Sequence, residues 1–439
     1  MDRKELISTE VFNFFIESHD FNGIPLSSLS EKTNIDYNTT IDIVKELVSV
    51  NVLSIQATGN PHIIGLSHYD QNDQIQYLEK ARENSVETLA MIGGNKITTE
   101  SFLICIYPST SYLIQKRNIS EFIDCPYTKQ LALGEPQLKP IFFEIEVLER
   151  YFKDPRYSFN FKDYSGQISC EYNENDEPLL ESEDDQIFLQ SFGLGLDDNK
   201  ERVAVVYLRY LKGLTADHQL FWKSKEKTND CIMVREYYEN TIMGNWTSSY
   251  SIFTAFIEEQ RILNELSIKI TGKQLFNRTF EEEKRPKEFT FFLIPTLENY
   301  NSFVSLLDKM ISENINKKFF KGEIDLFELI KLPDGLVERK KKGTLRLLEE
   351  WLRQNYNSQE ERFYSIIFQP IKKVRSERQN PAHKIHENYY DKEFSKKQID
   401  MISRSYYSIK ILREIFQKHP NCEDVEIPKW LENGKIKIF

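Results

Sequence analysis

Arg378 and His383 stand five residues apart across Gln379-Asn380-Pro381-Ala382, and no other pair in the chain is better suited to chemistry on a phosphate. A guanidinium stays charged and grips phosphate oxygens in a bidentate fork. An imidazole is the side chain whose unperturbed titration lies nearest neutrality. Asn380 is a good helix N-cap and Pro381 suits a first helical turn. The spacing therefore predicts one helix ending near Arg378 and another starting at Pro381. His383 then falls where free N–H groups and the positive end of the helix dipole attract anions and disfavour imidazolium, which leaves it neutral and able to act as a general base. Gln379, Asn380 and His386 are its polar supports. Arg375 and Lys384 supply further cations for a phosphate backbone, and Tyr389 and Tyr390 supply rings on which unpaired bases can stack.

Local charge agrees. Between Ile371 and His419 twelve Lys and Arg face six Asp and Glu, a balance of +6 inside a chain of net charge -11. Arg413 and His419, six residues apart, also satisfy an Arg-x4–6-His pattern, but His419 closes a helix, where the dipole repels a phosphate.

The elements that must position these residues are helical. Leu345, Leu348, Trp351 and Leu352 stripe a helix over 344–356. Phe363, Ile366, Ile367, Ile371 and Val374 stripe the next, kinked at Pro370, and Ile399 to Phe416 mark a last long one. Turns at Pro333-Asp334-Gly335 and Asn357-Ser358 separate them. Residues 331–439 thus read as an all-α antiparallel bundle.

This bundle, with Arg378-Gln379-Asn380-Pro381-Ala382-His383, resembles the HEPN superfamily of helical endoribonucleases. The resemblance implies metal-independent cleavage of single-stranded RNA by its own 2′-OH. Arg378 would hold the phosphate, and His383 would take the 2′-OH proton or deliver one to the leaving oxygen. It implies a C2 homodimer with a composite site, and a place in antiviral defence or a toxin system. Gln379 departs from the Asn or Asp frequent after that arginine.

Residues 1–67 read as three helices followed by strands Leu53–Gln56 and His62–Leu66, which resembles a winged helix-turn-helix. Asp36 or Asn38 caps the third helix. Four Lys and Arg against nine Asp and Glu leave this module without the charge that DNA binding requires, and docking or dimerisation is the expected role. Residues 68–330 read as a mixed α/β sensor or docking region, with strands at Phe102–Tyr107, Pro140–Ile145, Val203–Leu208 and Phe289–Ile294. Helices are expected over Asp217–Lys223, Ser251–Ser267 and Tyr300–Asn316. Acid-dense Glu171–Asp185 reads as a solvated loop, and His218 beside Trp222 as a structural histidine. The whole is an α+β multidomain chain.

Five scattered cysteines without a CxxC pair fit a reducing cytoplasm and argue against a zinc site. Neither a P-loop, HExxH nor GxSxG is present, Glu282-Glu283 matches no nuclease motif in order or spacing, and no apolar run reaches the length of a membrane span. No cofactor or metal is expected. Partners are RNA, a second copy, and a protein or trigger acting through residues 1–67 and the central region. The competing reading is a non-catalytic winged-helix regulator that binds DNA or docks protein and dimerises through its bundle.

Overall fold

Asp36, Asp70, Ser251 and Thr296 each accept a hydrogen bond from the backbone N–H three residues on, and each opens a helix. The computed structural model describes residues 2–18, 21–92, 95–247, 249–281, 284–332, 336–356, 360–379 and 387–439, with backbone alone at 88, 90, 92 and 95–97. The chain is mixed α and β with a helical C-terminal region. It divides into two compact units, one of residues up to Phe159 with Ser165–Val234, the other of Asn160–Tyr164 with Arg235–Phe439. The sequence boundaries at 67 and 330 do not coincide with this division.

The first unit begins with α1 (Arg3–Glu17), β1 (Ile24–Pro25), α2 (Leu26–Thr33), α3 (Tyr37–Ser49) and β2 (Leu53–Gln56). Then come α4 (Gln71–Lys80), a ribbon of β3 (Val86–Ile92) and β4 (Asn95–Glu100), and β5 (Cys105–Pro108). β5 is buried along its length and lies between β1 and β2. Ile7, Val11, Leu29, Ile41, Val44 and Ile106 share one core.

The hairpin expected of Leu53–Gln56 with His62–Leu66 does not form. β2 pairs with β5 instead, Ile55 opposite Ile106. Four carbonyls of 61–65 are taken elsewhere: Pro61 accepts from the Tyr107 hydroxyl, His62 from Gly23, Ile64 from Gln137 and Gly65 from Leu138. A Cβ on Gly23 would collide with the Tyr107 ring. The N-terminal module is thus completed by a strand from beyond residue 67.

The rest of this unit is a sheet in the order β6-β10-β9-β8-β7, made of β6 (Pro140–Glu144), β7 (Tyr157–Lys162), β8 (Ser165–Cys170), β9 (Phe188–Asp197) and β10 (Arg202–Tyr207). β11 (Cys231–Met233) continues along the β9 edge where β8 stops. Helices α5 (Thr110–Lys116), α6 (Pro126–Ala132), α7 (Glu149–Lys153), α8 (Leu208–Leu211) and α9 (Ala216–Ser224) accompany it.

The second unit contains α10 (Arg235–Thr241), β12 (Tyr250–Ser251), α11 (Ile252–Thr271), α12 (Leu297–Met310), β13 (Phe327–Lys331), β14 (Val337–Lys341), α13 (Thr344–Asn355), α14 (Glu361–Gln379) and α15 (Glu393–Gln417). α15 packs on α11, where Arg413 and Glu259 form a buried ion pair at 2.8 Å. The helical region therefore starts well before 331, and β14 interrupts its expected all-α character. Pro370 lies inside α14.

Two further expectations fail for physical reasons. Phe289–Ile294 is buried but is not a strand: Gln398 accepts from the Phe292 N–H and donates to the Thr290 carbonyl, taking the place of a neighbouring strand. The Phe289 ring packs against Phe253, Phe256 and Phe303. α12 stops at Met310 rather than near Asn316 because the chain beyond it pairs backbone with 275–277, Asn316 donating to Leu275 and Asn277 to Asn314. The expected features at Glu282-Glu283, Pro333-Asp334-Gly335, Asn357-Ser358 and Asn380-Pro381 lie outside the described residues. Among the described residues no helix is long and apolar enough to cross a membrane, and no group of three or more His, Cys, Asp or Glu could hold a metal ion.

Candidate functional site

The buried stripe of α14 runs Tyr364, Ile367, Phe368, Ile371, Val374. Arg378 continues it one turn past Val374, so its side chain is directed toward neighbouring structure rather than into open solvent. There its Nη1 lies 2.7 Å from Asp308 Oδ2 near the end of α12, and it also pairs with Glu313. The Asp308 side chain is 3% exposed and that of Glu313 is 49% exposed. The second oxygen of Asp308 accepts from the Ser312 hydroxyl. Hydrogen bonds donated to Asp308 first, then to Glu313, push the Arg378 proton affinity still higher, so the guanidinium is permanently charged.

Gln379 is exposed at the end of α14. Arg375, one turn before Arg378, lines a groove of about 540 Å³ between α13 and α14 together with Arg346, Glu349, Glu350, Arg353 and Lys372. Four cations there face two carboxylates. Glu349 takes Arg353 and Lys372, and Glu350 takes Lys342 and Arg346. Arg375 has no ionic partner among the described residues. On another side of α14, a smaller hollow of about 150 Å³ is lined by Tyr300, Lys373, Glu377, Lys397, Asp400 and Arg404.

Asn380, His383, Lys384 and His386 lie outside the described residues. Tyr389 and Tyr390 are each 53% exposed, as stacking on bases requires. They sit away from Arg378, however. The Tyr389 carbonyl accepts from the Leu297 N–H at 3.0 Å and Asn388 Oδ1 accepts from Glu298, pinning this stretch to the start of α12. Leu297 and Asp308 are separated by about 16 Å of helical rise. Arg375 and Arg378 sit one turn apart on α14, the first in the groove with α13 and the second against α12, and the two tyrosines are not brought to them.

Arg413, the competing match, is 3% exposed and grips Glu259 through two nitrogens, at 2.8 and 3.3 Å. Its guanidinium is a structural group. His419 Nδ1 accepts from the Asn421 N–H. His218 is fully buried, with Nδ1 2.6 Å from the Tyr151 hydroxyl, which also accepts from Trp222 Nε1 at 2.9 Å. Burial, followed by the Arg150 charge, lowers its pKa. Its role is structural.

On the N-terminal module, α3 presents Asp42, Lys45 and Glu46, and each is already taken: Asp42 by Arg82, Lys45 by Glu79, Glu46 by Lys4. Asp308 and Glu313 have no counterpart in the sequence reading. Two acids five residues apart around a helix end carry no motif, and only their meeting with Arg378 distinguishes them.

The chain matches no known protein-family model, no curated protein and no solved structure.

Proposed function

We propose that this protein is a metal-independent, HEPN-like endoribonuclease that cuts single-stranded RNA by attack of the substrate's 2′-OH. One observation carries the reading. Arg378 is held by the buried Asp308 and by the exposed Glu313. A phosphate can replace Glu313 while Asp308 keeps the guanidinium in place, which is how a positioned cation stabilises charge that develops in a transition state. In this reading His383 exchanges protons with the 2′-OH or the leaving 5′-oxygen. Arg375 and the α13–α14 groove guide the strand toward it. Two copies related by a two-fold axis supply a composite site, and a defence or toxin system is the setting in which such activity is restrained. Incubating the purified chain with single-stranded RNA in EDTA tests this: products with cyclic phosphate ends are expected, and intact RNA would refute it.

A second reading has its own observation. The helix and strand order of residues 3–108, with β5 between β1 and β2, supports a winged-helix-like module, and the charged residues of α3 are consumed by internal ion pairs. That favours protein docking over DNA binding. Sequence-specific, salt-sensitive binding to duplex DNA would overturn it.

A further inference from the structure

The ribbon β13–β14 sorts its charges by face. Residues opposite one another in an antiparallel pair share a face, and faces alternate along each strand. The register places Phe327 with Lys341, Leu329 with Arg339, and Lys331 with Val337 on one face, and Glu328 with Lys340 and Ile330 with Glu338 on the other. The first face therefore carries three cations and no acid. On the second, Glu328 is tied to Arg346 of α13. Every residue of β14 is exposed, Leu329 is 73% exposed, and Lys331, Arg339 and Lys341 make no ion pair among the described residues. Arg339 stacks on the Phe327 ring with its guanidinium carbon 4.1 Å from the centroid. The ring neutralises none of the guanidinium's charge, which has no carboxylate partner among the described residues. Arg339 and Lys341 are two residues apart on one strand, about 7 Å, a spacing suited to neighbouring phosphates of an extended strand.

We propose that this face of β13–β14 binds the sugar-phosphate backbone of single-stranded RNA and feeds it along the α13–α14 groove toward Arg378. The inference rests on RNA being the substrate. Charge complementarity selects the occupant: three unpaired cations on one face demand a polyanion, and exposed Leu329 and Val337 between them offer contact to unstacked bases. Lys342, just past the end of β14, pairs with Glu350 of the groove, and Glu328 pairs with Arg346 there, so the opposite face anchors the ribbon beside the groove and leaves the cationic face open.

The test measures binding and cleavage together on the full chain, using a labelled single-stranded RNA. The triple variant Lys331→Gln/Arg339→Gln/Lys341→Gln is expected to keep its fold by circular dichroism and lose RNA affinity about tenfold, with the slope of log affinity against log salt flatter by about 2. Lys331→Arg/Lys341→Arg is expected to bind like the parent. Unchanged affinity in the triple variant would overturn the proposal, as would binding of phosphatidylserine vesicles, lost in the triple variant, with no RNA binding. Binding through the ribbon without any cleavage would leave this proposal standing and remove the ribonuclease reading. Cleavage at the parental KM by the triple variant would do the opposite.

Discussion

Arg378 Nη1 and Asp308 Oδ2 meet at 2.7 Å, an arginine in the last turn of one helix gripped by a buried carboxylate near the end of another. The contact does two things at once. It neutralises a charge that would otherwise sit half-buried, and it holds Nη1 in place. Glu313, half-exposed on the same nitrogen, is the exchangeable member.

Glu313→Gln is expected to change stability by less than about 0.5 kcal/mol, because an exposed pair contributes little. It should tighten RNA binding about two- to fivefold by removing the competitor for Arg378. Asp308→Asn should instead lower stability by about 1–3 kcal/mol and weaken cleavage. Chemical denaturation and single-turnover kinetics on both variants separate the two carboxylates, and equal effects would contradict the division of roles.

Arg413→Ala leaves Glu259 buried without its partner and should cost about 3–5 kcal/mol. His419→Ala, which removes the cap on Asn421, should cost about 0.5–2 kcal/mol and leave cleavage intact. Thermal melts and an RNA assay on the two variants check this. Loss of cleavage in well-folded His419→Ala would move the chemistry to the Arg413–His419 pair.

His218 links pH to the stability of the first unit. Burial holds its imidazole below the ordinary value of about 6.5, so the unfolded chain takes up a proton that the folded chain refuses. This stability is fully present above about pH 6.5 and is lost as pH falls through the lower folded value. Urea midpoints should drop between about pH 8 and pH 5. His218→Gln should lower the midpoint at the higher pH and narrow that drop, and an unchanged drop would remove His218 as its source.

The α3 face offers a fourth check. Lys45→Ala removes one exposed pair with Glu79 and should cost about 0.2–1 kcal/mol. Duplex DNA affinity should be negligible before and after, by fluorescence anisotropy. Tight binding that Lys45→Ala abolishes would mean that the helix reads DNA.

The sequence is informative where one local rule dominates. Asp36 caps α3, the stripe from Phe363 to Val374 announces α14 although its buried side chains include Tyr364 and Phe368 and leave Ile366 exposed, and Trp351 marks α13, because caps and 3.6-residue periodicity act within a few turns. It is silent where distant residues replace a local partner. β5 pairs with β2 from some fifty residues earlier, and Gln398 stands in for a strand beside Phe292. At the candidate site Arg378 is legible from its spacing to His383, whereas Asp308 and Glu313 reach it only through the packing of α12 on α14. Tyr389 and Tyr390 look near Arg378 along the chain, but their backbone is tied to the far end of α12.

Single-turnover cleavage of a labelled single-stranded RNA in EDTA, comparing the parent chain with Arg378→Ala and His383→Ala, tests the central claim most directly. Cyclic phosphate ends from the parent, and a rate lowered at least about a hundredfold in His383→Ala with RNA binding retained, are the predicted result. Cleavage that persists at the parental rate in both variants would contradict it.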